Sequence, residues 1–456
     1  MADFNTINPA TEEIISEFNL MSNDEINNKI DKTYDTWSQW KQSSFERRAE
    51  SMNVLAQLLI KEKEDLGKVI TTEMGKPITQ SISEIEKCAW VCEYYAENAE
   101  HFLANDFIDS DASESYVHHS PLGIVLAIMP WNFPFWQVFR FAAPGLMAGN
   151  AALLKHSRNT TQCGLEIEKL FMKAGFPDHL FTALIVDSKP IEFIISNPKI
   201  AAVTLTGSTG AGKSVASIAG KYLKKTVLEL GGSDPYVILN DADLDLAAQM
   251  CVTGRLINTG QSCIAAKRFI VTEKNVVEFT EKVKSLLSSK NYGNPLDSDV
   301  ELGSMARKDL REELHEQVSK SIKLGAKCLI GGEIPQGTGY FYPATLLTDV
   351  TKGMPAFDDE LFGPVACIIT AKDEEEAIRI ANDSDFGLGS SLFSTNHGRA
   401  KAIAETQIDA GCTFINSFVK SDPRLPFGGV KQSGFGRELS FLGIKEFVNA
   451  KTIYLA

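Results

Sequence analysis

At 456 residues, 44% hydrophobic and 23% charged, the chain carries enough apolar content for a large core split over two or more domains, which excludes a disordered chain. A net charge of −14 argues against nucleic acid or an anionic membrane surface as partner. Eight scattered cysteines without a C-x-x-C pair, and seven histidines without H-x-x-x-H, point to free thiols in a reducing compartment and to no metal site. No apolar run reaches membrane-span length and residues 1–5 lack a secretory pattern, so the expected location is the cytoplasm.

Residues 23–103 show helical periodicity with charged faces, punctuated by Gly75-Lys76-Pro77. Residues 113–119 alternate and read as a strand. Apolar strands are then expected at 124–128, 151–154, 182–186 and 202–205, separated by helices at 135–147, 161–174 and 190–197. Strand–helix–strand repeats of this length imply an α/β fold, with a doubly wound, Rossmann-type parallel sheet. The alternation resumes with helices at 241–258, 276–288, 307–324 and 374–382 and strands at 268–271 and 366–369, a second α/β unit sharing a cleft with the first. The C-terminal strand, 451–456, has no neighbour in sequence and is expected to pair elsewhere in the chain or with another subunit. The division is thus 1–112 with 130–230 for a dinucleotide-binding domain, 231–437 for a catalytic domain, and 113–129 with 438–456 for a small β oligomerisation segment.

Three loops carry chemistry. Cys263 lies in a Gly260-Gln261-Ser262-Cys263 turn, and Glu229 stands between leucines 34 positions earlier. A thiolate attacks carbonyl carbon, and a partly buried carboxylate can take its proton. Each has a bland alternative: a small buried apolar residue for Cys263, an amide-held carboxylate for Glu229. In Pro130-Trp131-Asn132-Phe133-Pro134 two prolines stiffen the loop, so that Asn132 could aim an N–H at a developing oxyanion; the alternative is a helix cap. Thr206-Gly207-Ser208-Thr209-Gly210 follows a strand and opens a helix, a phosphate-binding arrangement. Residues 207–214, GSTGAGKS, also match the ATPase phosphate-loop pattern, with Asp187 as magnesium holder, so an NTPase is the rival from another class.

Taken together, PWNFP at 130–134, LTGSTGAG at 205–212, LELGG at 228–232, GQSC at 260–263, ELFGP at 360–364 and PFGGVKQSGFGRE at 426–438 resemble the aldehyde dehydrogenase superfamily. Within it, 131–140 looks like the succinate-semialdehyde dehydrogenases of bacteria and cyanobacteria. The resemblance implies that Cys263 forms a thiohemiacetal and then a thioester, that Asn132 steadies the oxyanion, and that Glu229 activates the hydrolytic water. It places Gly207, Ser208 and Leu230 along the cofactor, Trp131 and Lys155 on its adenosine side, and Glu360 with Phe362 at the nicotinamide ribose; core packing is the alternative for Phe362.

Where family members selective for NAD carry a Glu three residues after the lysine, this chain has Arg158. Ser157, Arg158 and Lys155 would accept a 2′-phosphate, so NADP is expected to serve at least as well as NAD. Arg158 as a solvated cation is the alternative. Arg140 is the expected partner of a carboxylate-tailed small-molecule aldehyde, with Trp136, Ser262, Ser421 and Arg424 as further candidates; an interdomain salt bridge is the competing role for Arg140. Other semialdehydes or aliphatic aldehydes are the alternative substrates. A homodimer or homotetramer is expected.

Overall fold

The computed structural model describes residues 2–456. A short antiparallel hairpin, Phe4–Ile7 with Ile14–Phe18, precedes three long helices, Asn23–Trp40, Phe45–Met74 and Ile78–Phe102. Ser22 and Glu25 form a capping box at the first. Gly75, at φ +78°, ends the second in the left-handed conformation open to glycine.

The first of these packs on a six-stranded sheet, and the other two on helices Trp136–Met147 and Thr161–Lys173; the sheet is ordered Gly434–Phe435, Lys225–Glu229, Ile200–Thr206, Ile124–Met129, Ala151–His156, Phe181–Ala183. All neighbours are parallel except Gly434–Phe435, which runs antiparallel to Lys225–Glu229. A seven-stranded sheet forms the second unit, ordered Lys327–Ile330, Thr345–Thr348, Val365–Ala371, Ala266–Thr272, Asp234–Ile238, Gly389–Phe393, Cys412–Ile415; only the first strand is antiparallel. A third sheet joins Asp106–Phe107, Glu114–Pro121 and Val448–Leu455.

Two boundaries expected from the sequence need correction. Strand Ile124–Met129 belongs to the middle of the six-stranded sheet, not with the strand before it, because its unbroken apolar run suits burial on both faces. The C-terminal strand pairs in register with Glu114–Pro121 of its own chain, the first of the two outcomes expected for it. Gly434–Phe435, expected in the catalytic unit, completes the edge of the cofactor sheet instead, with Gly434 opposite Glu229. A side chain at Gly434 would run into the Leu228 carbonyl, and its φ of +115° favours glycine.

Candidate active site

Cys263 stands where two cavities meet, one of about 290 Å³ and one of about 610 Å³. Its loop is built from an unusual backbone. After helix Leu244–Leu256, the chain passes through Asn258, Thr259 and Gly260 at φ +56°, +54° and +74°. Left-handed conformations cost an ordinary L-residue about 1–2 kcal/mol each, so surrounding bonds must hold the turn. Asn258 Nδ2 donates to the carbonyls of Asn132 (2.6 Å) and Gln261 (3.0 Å), and its amide donates to Gln80 Oε1 (2.7 Å). Buried Arg255 donates to the carbonyls of Gly260 (2.7 Å) and Leu361 (3.2 Å). Lys267 Nζ donates to the carbonyls of Ser262 (2.8 Å) and Cys263 (2.7 Å) and pairs with Glu360 Oε1 at 2.9 Å. One lysine therefore ties the nucleophile loop to the cofactor side.

Asn132 Nδ2 donates one hydrogen to the Gln261 carbonyl at 3.2 Å, leaving the second for an oxyanion beside the nucleophile. Glu229 ends its strand fully buried, and neither carboxyl oxygen has a hydrogen-bond partner in the protein. Burial, reinforced by the nearby Glu438 charge, holds its pKa well above the usual carboxylate range, against the opposing pull of Arg140 and Arg437. Burial also pushes the Cys263 thiol up to about 12, with Arg140 and Lys267 acting in the other direction. The two groups are thus a thiol and a buried carboxyl, each pushed by burial toward its neutral form.

The larger cavity is lined by Trp131, Gly207, Ser208, Leu230, Glu360 and Phe362. Phe362 is half-buried and meets Trp131 edge-on with centroids 5.7 Å apart, so it forms cavity wall rather than core. Ser208 caps helix Thr209–Lys221, and the Thr209 and Gly210 amides, without intrahelical partners, lie at the cavity. An open helix N-terminus between apolar walls fits a dinucleotide pyrophosphate. Lys155, Ser157 and Arg158 lie outside this cavity, at the end of strand Ala151–His156 beside the strand leading to Trp131. Arg158 is exposed, its guanidinium 4.5 Å from the Phe4 ring centroid. Ser157 Oγ donates to Asn159 Oδ1 at 2.7 Å.

The phosphate-loop reading does not survive this geometry. The helix starts at Thr209, whereas that pattern wraps its loop as far as the lysine, and Lys213 already projects from the helix to donate to Gln432 Oε1 at 3.0 Å.

Arg140, Trp136, Ser262 and Ser421 all line the smaller cavity. Trp136 Nε1 donates to Ser421 Oγ at 2.9 Å. Arg140 is buried, with Nε 2.7 Å from Glu438 Oε2 and its guanidinium 4.6 Å from the Phe427 centroid. The salt bridge weighed as its alternative role is present, alongside exposure to the cavity. Arg424 is drawn away by Asp422 (2.7 Å) and does not line the cavity.

Sequence reading missed several residues. Glu84 accepts the Phe135 and Trp136 amides, both at 2.9 Å, capping the helix that carries Trp136 and Arg140, and pairs through its other oxygen with buried Lys76. His156 accepts the Ser157 amide on Nδ1 and bonds the Pro134 carbonyl through Nε2 at 2.8 Å, bracing the Asn132 loop. Burial lowers its pKa to about 4, so it serves as a neutral strut. Lys87 also lines the smaller cavity. None of these groups is marked by local sequence pattern, because each acts across 20 or more residues of chain or from another helix.

Cys263, placed where a nucleotide-sized cleft meets a small cation-lined pocket, with the buried Glu229 carboxyl lining neither cavity, fits a dinucleotide-dependent oxidoreductase. The chain belongs to the aldehyde dehydrogenase family, whose model matches residues 2–453. It is 45% identical over 454 residues to succinate-semialdehyde dehydrogenase NADP(+) 1 of Mycobacterium tuberculosis (strain ATCC 25618 / H37Rv), covering 99% of both chains. It is 44% identical over 449 residues to the succinate semialdehyde dehydrogenase NAD(P)+ Sad of Escherichia coli K12, covering 98% of this chain and 97% of that one. Among solved structures, the succinic semialdehyde dehydrogenase of Streptococcus pyogenes in complex with NADP+ superposes with a TM-score of 0.97 at 36% identity, covering 99% of each chain.

Proposed function

We propose that the chain oxidises succinate semialdehyde to succinate with NADP as the favoured cofactor, and NAD as the lesser one. The observation that carries this reading is the placing of Cys263 between the dinucleotide-sized cleft and a pocket of about 290 Å³ with cations in its wall, which suits a short aldehyde ending in a carboxylate. The names and cofactors of the relatives support the same substrate and the same nucleotide.

Cys263 releases its thiol proton to solvent as Sγ adds to the aldehyde carbon, while Asn132 Nδ2 and the Cys263 amide hold the oxygen. The nicotinamide supplies the hydride acceptor when bound. Glu229, in its carboxylate form, then takes a proton from the water that cleaves the thioester, and its raised pKa makes it a stronger base than an exposed carboxylate. Lys267 and Glu360 keep the two halves of the site in register. Arg140 and Ser262 contribute to the substrate wall, and Lys155, Ser157 and Arg158 receive the adenosine 2′-phosphate.

The working form is proposed to be a cytoplasmic homodimer or homotetramer. No described helix is long and apolar enough to cross a membrane. The third sheet presents Phe107 and Leu455 on one face and Tyr454 on the other, each more than half exposed, apolar surface suited to a second copy.

Initial rates of NADPH formation with succinate semialdehyde and with butyraldehyde, each repeated with NAD, test the reading. Faster turnover of the semialdehyde with NADP supports it; equal kcat/KM for the two aldehydes overturns the substrate assignment.

A further inference from the structure

Three cations line the smaller cavity: Lys87, Arg140 and Lys420. Arg140 is neutralised by Glu438 at 2.7 Å, and Lys420 is exposed, where water screens its attraction for an anion. Lys87 differs from both. It projects from helix Ile78–Phe102, its Nζ donating to Ser421 Oγ at 3.1 Å and lying 4.3 Å from the Trp136 ring centroid. Among the described residues, no carboxylate lies within ion-pair range of it. The acids nearby have other partners. Glu84 is taken by Lys76 and by the Phe135 and Trp136 amides, and Asp422 by Arg424 at 2.7 and 2.9 Å.

Ser421 completes the argument. Its oxygen accepts hydrogens from both Lys87 Nζ and Trp136 Nε1, so its own hydroxyl hydrogen remains to be donated. An unpaired ammonium and an uncommitted hydroxyl, side by side in the wall of the pocket that opens on Cys263, lack one thing: an anion with two acceptor oxygens.

We propose that Lys87 and Ser421 together form the subsite for the substrate carboxylate, so that Lys87, more than the neutralised Arg140, selects aldehydes with a carboxylate tail. This rests on the substrate reading above and names the residue responsible for it. A cation half-buried without a counter-ion should also give up its proton easily, and burial together with the Arg140 charge lowers the Lys87 pKa to about 8.

The test compares wild type, Lys87→Met and Lys87→Arg. Met keeps an apolar stem against Trp136 while removing the charge. KM is measured for succinate semialdehyde and for butyraldehyde, a neutral aldehyde of equal carbon count, and Ki for succinate as a competitive inhibitor. Loss of a charged hydrogen bond should raise KM for the semialdehyde and Ki for succinate roughly 10- to 100-fold in Lys87→Met, with butyraldehyde kcat/KM held within about twofold and Lys87→Arg recovering most of the loss. Butyraldehyde turnover reports whether the variant has folded, and Lys87→Gln repeats the charge removal should Met fail that check.

A pH profile gives a second readout. The groups facing Lys87 are Glu84 and Cys88 on its own helix, Arg140 on the helix opposite and Asp422 on the Ser421 loop. A bound carboxylate favours the protonated amine, so the wild-type KM for the semialdehyde should climb as pH rises through about 8, while Lys87→Arg stays flat. Equal losses on both aldehydes, or an unchanged KM and Ki, would overturn the assignment and leave Lys87 as a prop for Trp136. A wild type indifferent to the tail would instead defeat the substrate reading itself.

Discussion

Arg140 Nε sits 2.7 Å from Glu438 Oε2, and this buried pair adjoins Glu229, the proposed general base, whose carboxyl feels both charges. Glu438 raises the Glu229 pKa and Arg140 lowers it. Replacing Glu438 by Gln removes the raising charge and releases the full field of Arg140, and both changes act in one direction. The acid limb of the kcat–pH profile should therefore move to lower pH, by on the order of one unit. A limb that stays put or moves up would show that Glu229 does not set it.

The state of the nucleophile is open to direct measurement. With its thiol pushed up to about 12, mainly by burial, Cys263 in the free enzyme should be almost wholly protonated at neutral pH. Alkylation by iodoacetamide should be slow there and should keep rising with pH, without a plateau, as far as the protein stays folded. A plateau near neutrality would mean a preformed thiolate.

Lys267 holds two backbone carbonyls of the nucleophile loop and the Glu360 carboxylate at once. Lys267→Met leaves Glu360 without its cation and the Ser262 and Cys263 carbonyls without their donor, so unfolding free energy should fall by about 3 kcal/mol. Both kcat and the KM for NADP should worsen together. Denaturant titration and steady-state kinetics on the same preparation check this; loss of cofactor affinity alone would confine the residue to Glu360.

Arg158 lies exposed over Phe4, available to solvent and to a phosphate. Arg158→Glu should cut kcat/KM for NADP by roughly 10- to 100-fold through like-charge repulsion and leave NAD almost untouched. Equal effects on both cofactors would reduce Arg158 to a solvated cation.

Legibility in the sequence followed the physics of burial. Strands such as Ile124–Met129, covered on both faces, announce themselves as continuous apolar runs. Asp234–Ile238 and Gly389–Phe393 are equally buried, yet Asp, Pro, Gly and Ser interrupt them; their polar groups are satisfied only in three dimensions, as where Asp234 accepts the Gly389 amide at 3.0 Å. The hairpin Phe4–Ile7 with Ile14–Phe18 is short and largely exposed, so no periodic pattern marks it. Cys263 and Asn132 stand in contiguous loop motifs and Glu229 at a strand end between leucines, which is what singles them out as candidates. Their supports are not marked in this way. Glu84 reaches Phe135 across 51 residues and Arg255 reaches Leu361 across 106, contacts that leave no trace in local spacing.

The central claim is a covalent path through Cys263 released by Glu229. Glu229→Gln mixed with succinate semialdehyde and NADP should stall after acylation, and intact-mass and peptide spectra should show one succinyl group per chain, on Cys263. Free succinate formed at the wild-type rate with no adduct, or an adduct on any other residue, would contradict the account.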